Sequence, residues 1–319
     1  MKDKMKSKVF SKFFQFISTF LKRNRLIVLT YHQVGDFNAA HNKLLLDTSL
    51  FEQHLIWLKQ HFRVLCLEDA MRRLLNGTLP KRAVVISIDD GYVDGYTTIF
   101  PLLIKHKLQA SFFISTSGIE KGYLWDELVS MAIIKMPIEK PILTFLEKNY
   151  PIETYNEKLA AIDKVTQVIK YVPLEKRDEL IGKLCIETGY PSIKHQFLSN
   201  ENIQEMNQAG MCIGAHTVNH PILTLETPNN AKKEMLDSKL ALEQQIGSEV
   251  KFLAYPNGKL ERDFTLQHQQ QARECGFEAA FSTEWGCSTL DNLFAIKRIT
   301  LSEKTELKFC MRLLLNIMR

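Results

Sequence analysis

In AVVISIDDGY, residues 83–92, two aspartates follow directly on an apolar run. Adjacent carboxylates repel each other and are costly at a strand end unless a cation or a proton lies between them. A plain turn is the alternative reading, because Asp-Gly is a common turn signal. A second cluster shifts the balance. In GAHTVNHP, His216 and His220 stand at i and i+4 after the short apolar run MCIGA. On one helical turn two such imidazoles point the same way, a usual spacing for a two-histidine metal site. One carboxylate and two imidazoles make a three-ligand site with open positions, suited to zinc, cobalt, nickel or iron. The other carboxylate is then free to act as a base on a water.

Such groups need a scaffold that gathers distant strand ends. RLIVLTYH, RVLCL, AVVISI, ASFFIS, MCIGAHT, KFLAYP, EAAFST and FAIKRITL read as strands. Helical patterns fall between them at residues 50–61, 68–75, 97–105, 230–245 and 263–275. Alternating β and α at this spacing predicts βα units and a mainly parallel sheet or barrel. The almost unbroken apolar run 84–88 suits a strand buried on both faces. In such sheets ligands bind beyond the carboxyl ends of the strands, where Asp89 and Asp90 stand. Residues 126 to about 198 break the alternation. They show helical patterns such as EKLAAIDKVTQVIKYV and EKRDELIGKLCIETG and no strand pattern. This segment is expected to be a helical insertion serving as a lid or substrate wall.

Composition sets the outer bounds. The chain has 319 residues, 45% hydrophobic and 24% charged, which fits one large α/β domain or two small ones. Its net charge is +5, but residues 1–25 alone carry eight basic side chains and one acidic, a charge of +7. The remainder is therefore −2, with no basic stripe for nucleic acid. The six cysteines are scattered without a CxxC pair, which points to a reducing compartment. In VFSKFFQFISTFLKRNR, Val9, Phe10, Phe13, Phe14, Phe16, Ile17, Phe20 and Leu21 share one helical face. Lysines flank that face, and the segment lacks the apolar core of a signal peptide and the length of a bilayer span. Residues 8–25 are expected either to lie on an anionic membrane surface or to pack on the protein's own body.

Together, YHQVGD, ISIDDGY, LSNENIQEMNQAGMCIGAHTVNHP, FLAYPNG, GFEAAFST and FAIKRI resemble the polysaccharide deacetylases of carbohydrate esterase family 4, the NodB-like fold. These stretches span most of residues 27–300. The resemblance implies a distorted (β/α)7-type barrel over residues 26–319; to this the sequence pattern adds the insertion at about 126–198 and residues 1–25 as a separate basic helix. The resemblance implies a metal-dependent hydrolase that removes an N-acetyl group from a sugar in a polysaccharide; the N-terminal helix adds the expectation of a lipid-linked or cell-surface glycan precursor. The resemblance also implies one divalent ion, zinc foremost. By position, Asp89 matches the family's catalytic base, and Asp90, His216 and His220 match its metal ligands. In YPNG, the Asn257 N–H falls where the family helps bind the oxyanion.

The chain departs from the family in two places. The arginine that commonly holds the base is replaced by Ala254; Arg298 in AIKRI either takes its place or is a surface arginine at a strand end. No histidine follows His268, so the late histidine that usually supplies the general acid is missing, and His268 itself is expected to face solvent. One branch of the family carries its acid histidine on a first strand, and LTYHQVGD fits that branch, making His32 the candidate acid. Trp125 and Asp126, in WDEL, are candidates for stacking on a sugar ring and for binding a hydroxyl, or for a plain helix start. Tyr255 flanks the site as a candidate substrate contact or a simple strand residue.

The partners expected are a carbohydrate, lipid-linked in one version, and a membrane surface; nucleic acid is excluded. The expected location is the cytoplasm, at the inner membrane face. Two other readings compete: a catalytically lapsed carbohydrate-binding protein of the same fold, and a receiver-type phosphoacceptor domain, which leaves the two histidines unused.

Overall fold

A computed structural model describes residues 24–35, 44–137, 139–189 and 194–318. Seven strands of an eight-stranded sheet build the barrel: β1 (Leu26–Tyr31), β2 (Ala83–Ile88), β3 (Ser111–Ile114), β4 (Cys212–Ala215), β5 (Phe252–Ala254), β6 (Ala279–Phe281) and β7 (Arg298–Thr300); the eighth, Arg63–Val64, pairs with the start of β2. The order of the seven across the sheet is β6-β5-β4-β3-β2-β1-β7, all parallel. The sheet curls until β6 meets the chain just before β7. There Phe281 bridges Ile296, and the Ile296 N–H donates to the Ala280 carbonyl at 2.9 Å. The result is a nearly closed seven-stranded barrel wrapped by helices.

Side-chain parity explains why these runs are apolar throughout. Alternate residues of a strand face opposite sides. Leu26, Val28, Ala83, Val85, Phe113, Phe252, Ala254, Ala279, Phe281 and Ile296 form the barrel interior, joined by Leu67, Met71 and Leu74 of the helix Leu67–Leu75. Their neighbours Ile27, Leu29, Val84, Ile86, Phe112, Leu253 and Ala280 face outward onto the surrounding helices. Those helices include α1 (Thr48–His61), α2 (Asn200–Gln208), α3 (Pro228–Ile246) and α4 (Glu306–Met318), which bury Phe51, Met206, Met235 and Phe309 against the sheet. The parity continues past the apolar layer. Thr30, Ser87, Asp89 and Arg298 fall on the interior side, so polar groups fill the carboxyl end of the barrel.

The insertion is a unit with its own core. Helices α5 (Trp125–Ile134), α6 (Tyr155–Lys170) and α7 (Leu174–Thr188) pack Val129, Ile133, Val165 and Leu184 together. The sequence pattern predicts no strand here, yet the structure contains an antiparallel hairpin, Ile142–Phe145 with Lys148–Pro151. Its turn uses Leu146 and Glu147 at φ 50° and 61°. Left-handed turn residues are normally Gly, Asn or Asp, so this hairpin carries no recognisable turn signal.

Two further expectations need correcting. His216 and His220 do not share a helical turn; residues 216–220 form an irregular loop with Thr217 at φ 65° and His220 at φ 52°. His268 does not face solvent. It is buried in the helix Leu266–Glu274, where its Nδ1 accepts from the Thr265 N–H at 2.9 Å as part of the helix cap. Most of the basic amphipathic segment, residues 8–23, lies outside the described residues. Among those described, no helix is long and apolar enough to cross a membrane.

Candidate active site

The pair at the end of β2 separates because the backbone turns between its members. The Asp89 N–H still donates to the Tyr31 carbonyl at 2.9 Å, so Asp89 keeps strand geometry and points into the barrel. Asp90 then adopts φ 77° and Gly91 φ 101°. Aspartate tolerates the left-handed region better than most residues, and glycine has no Cβ to oppose it. The turn is pinned on both sides: Ser115 N–H donates to the Asp90 carbonyl at 3.0 Å, and Leu198 N–H to the Gly91 carbonyl at 2.9 Å. A Cβ on Gly91 would lie 2.9 Å from Ile114 Cγ2. Gly91→Ala is therefore expected to cost about 2–4 kcal/mol, from backbone strain plus overpacking. Urea denaturation checks this; a loss under 1 kcal/mol would show that the turn is not constrained as described.

Asp89 meets Arg298. The guanidinium, 1% exposed, donates from Nη1 to Oδ1 at 2.6 Å and from Nη2 to Oδ2 at 2.7 Å. Its Nε donates to the Ser282 carbonyl at 3.1 Å, and its Cζ lies 5.5 Å from the Phe113 ring centre. This fork-to-fork pairing fixes the carboxylate's orientation. Burial opposes ionisation of Asp89, but Arg298 and the neighbouring His216 and His32 outweigh it and hold its pKa below the usual value. Of the two readings of Arg298, the surface one is thus overturned. Parity was the available signal, since Arg298 lies two residues beyond the inward-facing Ile296.

Asp90 meets the histidines. Its Oδ1 is 3.4 Å from His216 Nε2 and 3.5 Å from His220 Nε2, and one ligand atom from each residue lies within 4.8 Å of the others. These separations exceed an ordinary hydrogen bond. They match the roughly 3.4 Å edge of a tetrahedron with ~2.1 Å metal–ligand bonds. The donor chemistry also fits a divalent cation. His216 Nδ1 is 2.7 Å from the Ala254 carbonyl. A carbonyl only accepts, so Nδ1 carries the proton and Nε2 presents its lone pair. Burial and the adjacent His216 push the His220 pKa down to about 3, against the pull of Asp90, leaving this imidazole neutral. Burial resists ionisation of Asp90, but the surrounding imidazoles prevail and keep it a carboxylate.

The loop that carries the histidines is held from two sides. Glu234 of α3 accepts from the N–H groups of Val218 and Asn219 at 3.0 and 2.8 Å, and from Asn219 Nδ2 at 2.7 Å. Arg177 of α7 donates from Nη2 to the Asn219 carbonyl at 2.7 Å and from Nη1 to the His220 carbonyl at 3.2 Å. Neither residue was identifiable from the sequence, because each acts mainly on backbone groups and belongs to no side-chain motif.

The remaining candidates fall in different places. His32 follows β1, and the Tyr31–Ile88 register sets it beside Asp89. Its Nδ1 is buried with no hydrogen-bond partner among the described residues. Asn257 follows β5 at φ 59° and its carbonyl accepts from Thr283 Oγ1 at 2.5 Å. Among the described residues no hydrogen bond uses its N–H. Asp126 has a buried, unpartnered Oδ1; burial and then the charge of Asp90 raise its pKa to about 6. Trp125 lies under Arg177, 5.1 Å from ring centre to guanidinium, and packs on the insertion core. Tyr255 is not available to a ligand. It is fully buried, its ring stacks on Phe264 at 3.9 Å, and its hydroxyl donates to the Phe294 carbonyl at 3.1 Å.

The chain belongs to the polysaccharide deacetylase family, whose sequence model matches residues 76–280. A Bacillus subtilis protein, the polysaccharide deacetylase-named YxkH, is 24% identical over 285 residues, covering 88% of this chain and 73% of its own. A Staphylococcus aureus poly-β-1,6-N-acetyl-D-glucosamine N-deacetylase is 31% identical over 128 residues, 36% of this chain and 44% of that protein. Among solved structures, the Streptococcus pyogenes deacetylase PplD in complex with acetate has a TM-score of 0.63 at 21% identity, covering 93% of this chain and 99% of that one. IcaB from Ammonifex degensii follows at 0.59 and 18%, covering 92% and 98%. These structural likenesses extend the shared fold over nearly the whole chain.

Proposed function

We propose that this protein is a metal-dependent hydrolase that removes N-acetyl groups from an N-acetylhexosamine glycan. The observation that carries the reading is the division of the aspartate pair: Asp90 faces two lone-pair-bearing imidazoles, while Asp89 is ionised and oriented by Arg298. The name of the Staphylococcus aureus relative supports a polymer of N-acetylglucosamine as substrate. A divalent ion held by Asp90, His216 and His220 supplies Lewis acidity to the amide carbonyl and lowers the pKa of a water.

The chain's own groups complete the chemistry. As water adds to the acetamide carbonyl carbon, the Asp89 carboxylate takes its proton. The Asn257 N–H donates to the oxygen on which negative charge develops. The C–N bond then breaks, and the leaving amine receives a proton from His32. The products are acetate and a free amine on the sugar. Asp126 is an acceptor for a sugar hydroxyl at the edge of the site. The basic amphipathic run at residues 8–25 supports work at the anionic inner surface of a membrane, on a lipid-linked or surface-glycan precursor.

Acetate release from β-1,6-linked N-acetylglucosamine oligomers tests the reading directly. Release is expected from the purified protein, lost on chelation and restored by zinc or cobalt. Saturable oligomer binding without acetate release at any metal loading would instead establish the lapsed, glycan-binding alternative.

A further inference from the structure

We infer that Arg177 is a positioning residue of the metal centre, through which the insertion sets the geometry of His220. The inference rests on the metal reading proposed above and extends it to a helix outside the barrel. Arg177 is 4% exposed, and its two terminal nitrogens take two consecutive backbone carbonyls, those of Asn219 and His220. These carbonyls belong to the two peptide planes that flank the His220 Cα. Holding both planes fixes φ and ψ of His220 together. That matters because His220 sits at φ 52°, a region a non-glycine residue keeps only when its surroundings impose it.

The anchor itself is firm. The guanidinium lies over the Trp125 ring, and the N–H of Leu174, at the start of the same helix, donates to Glu226 Oε1 at 2.7 Å. Helix α7 is thus tied to the barrel side at two points, one of them the histidine loop. Glu234 grips the N–H groups of that loop from the opposite side. A lysine can bond two carbonyls, as Lys158 does with those of Ile134 and Met136, but from a single rotatable point charge; the planar fork of an arginine holds each carbonyl from its own nitrogen at a fixed separation. Electrostatics would not select a cation beside a metal dication; backbone geometry does. A cavity of about 350 Å³ opens at the same place, lined in part by Trp125, Arg177, Asn219 and Ile181. The insertion wall and the metal loop therefore share their contact residues.

The test uses the full chain with cobalt(II) as the metal probe. Arg177→Met keeps an unbranched side chain beside Trp125 and removes both donors. It is expected to weaken cobalt affinity about 10–100-fold and to alter the visible d–d spectrum, with Arg177→Lys recovering part of the loss. In metal-free protein, the His220 ring NMR resonances are expected to move while those of His216, held by Ala254, stay in place. Cobalt affinity within twofold of wild type with unchanged His220 resonances would overturn the inference. Should wild type itself bind no cobalt, the metal reading fails, and the ring resonances alone decide whether Arg177 fixes His220. Should Arg177→Met not fold, Arg177→Lys and Trp125→Leu are read by the same two measurements, and wild-type values in both overturn it.

Discussion

Arg298→Met is expected to destabilise the protein by about 3–5 kcal/mol and to move the acid limb of its pH–rate profile upward. Asp89 is 2% exposed and Arg298 1%, so the substitution leaves a carboxylate buried without its counter-charge. Breaking one side of a buried pair is far more damaging than losing a surface bridge, because the remaining charge is desolvated and unpaired. The sign of the pH effect follows from the same balance. In wild type the folded pKa of Asp89 is depressed. The stabilisation is therefore full above the ordinary carboxylate value, about 4, and is lost as pH falls through the folded value. In the variant, burial is opposed only by His216 and His32, so the carboxyl rises and is protonated at higher pH. Thermal melts between pH 3 and 7 should show wild type and variant converging only at the acid end. A variant within 1 kcal/mol of wild type at pH 7, with an unmoved acid limb, would show that Arg298 does not hold the base.

The barrel was legible because its chemistry is local to each strand. Continuous apolar runs such as LIVLTY and AVVISI demand burial on both faces, and helical periodicity between them leaves a parallel sheet as the consistent solution. The metal-ligand candidates were legible because three polar side chains stand where apolar strands stop. The HxxxH spacing suggested them for the wrong reason, however. The two imidazoles converge through left-handed backbone at Thr217 and His220, with no helical turn between them. What sequence alone left open or hidden is long-range or backbone-directed. Arg298 is 209 residues from Asp89, and only barrel closure brings them together. Arg177 and Glu234 grip peptide groups, which have no sequence identity to recognise. Tyr255 looked like a site residue because it lies between Ala254 and Asn257, but strand parity turns it away from the barrel interior. The hairpin in the insertion stayed hidden because its turn is made by Leu146 and Glu147, residues that seldom adopt φ above zero.

Asp89→Asn is expected to lower kcat for acetate release by about 10²–10⁴, the range for loss of a general base, with metal content unchanged. That loss corresponds to roughly 3–5 kcal/mol of transition-state stabilisation. An asparagine still offers one oxygen to Arg298 but cannot take a proton from water. The variant should be assayed well below its melting point, because Arg298 loses its counter-charge here just as Asp89 does in Arg298→Met. The informative comparison is with the His216→Ala/His220→Ala double variant, which is expected to lose metal and activity together. Mass spectrometry of bound metal separates the two modes. If Asp89→Asn sheds its metal, the aspartates do not divide their labour, and both belong to the ligand set. If it keeps both metal and kcat, the proton goes elsewhere. Asp126 is then the next carboxyl to test, because burial and the charge of Asp90 raise its pKa to about 6.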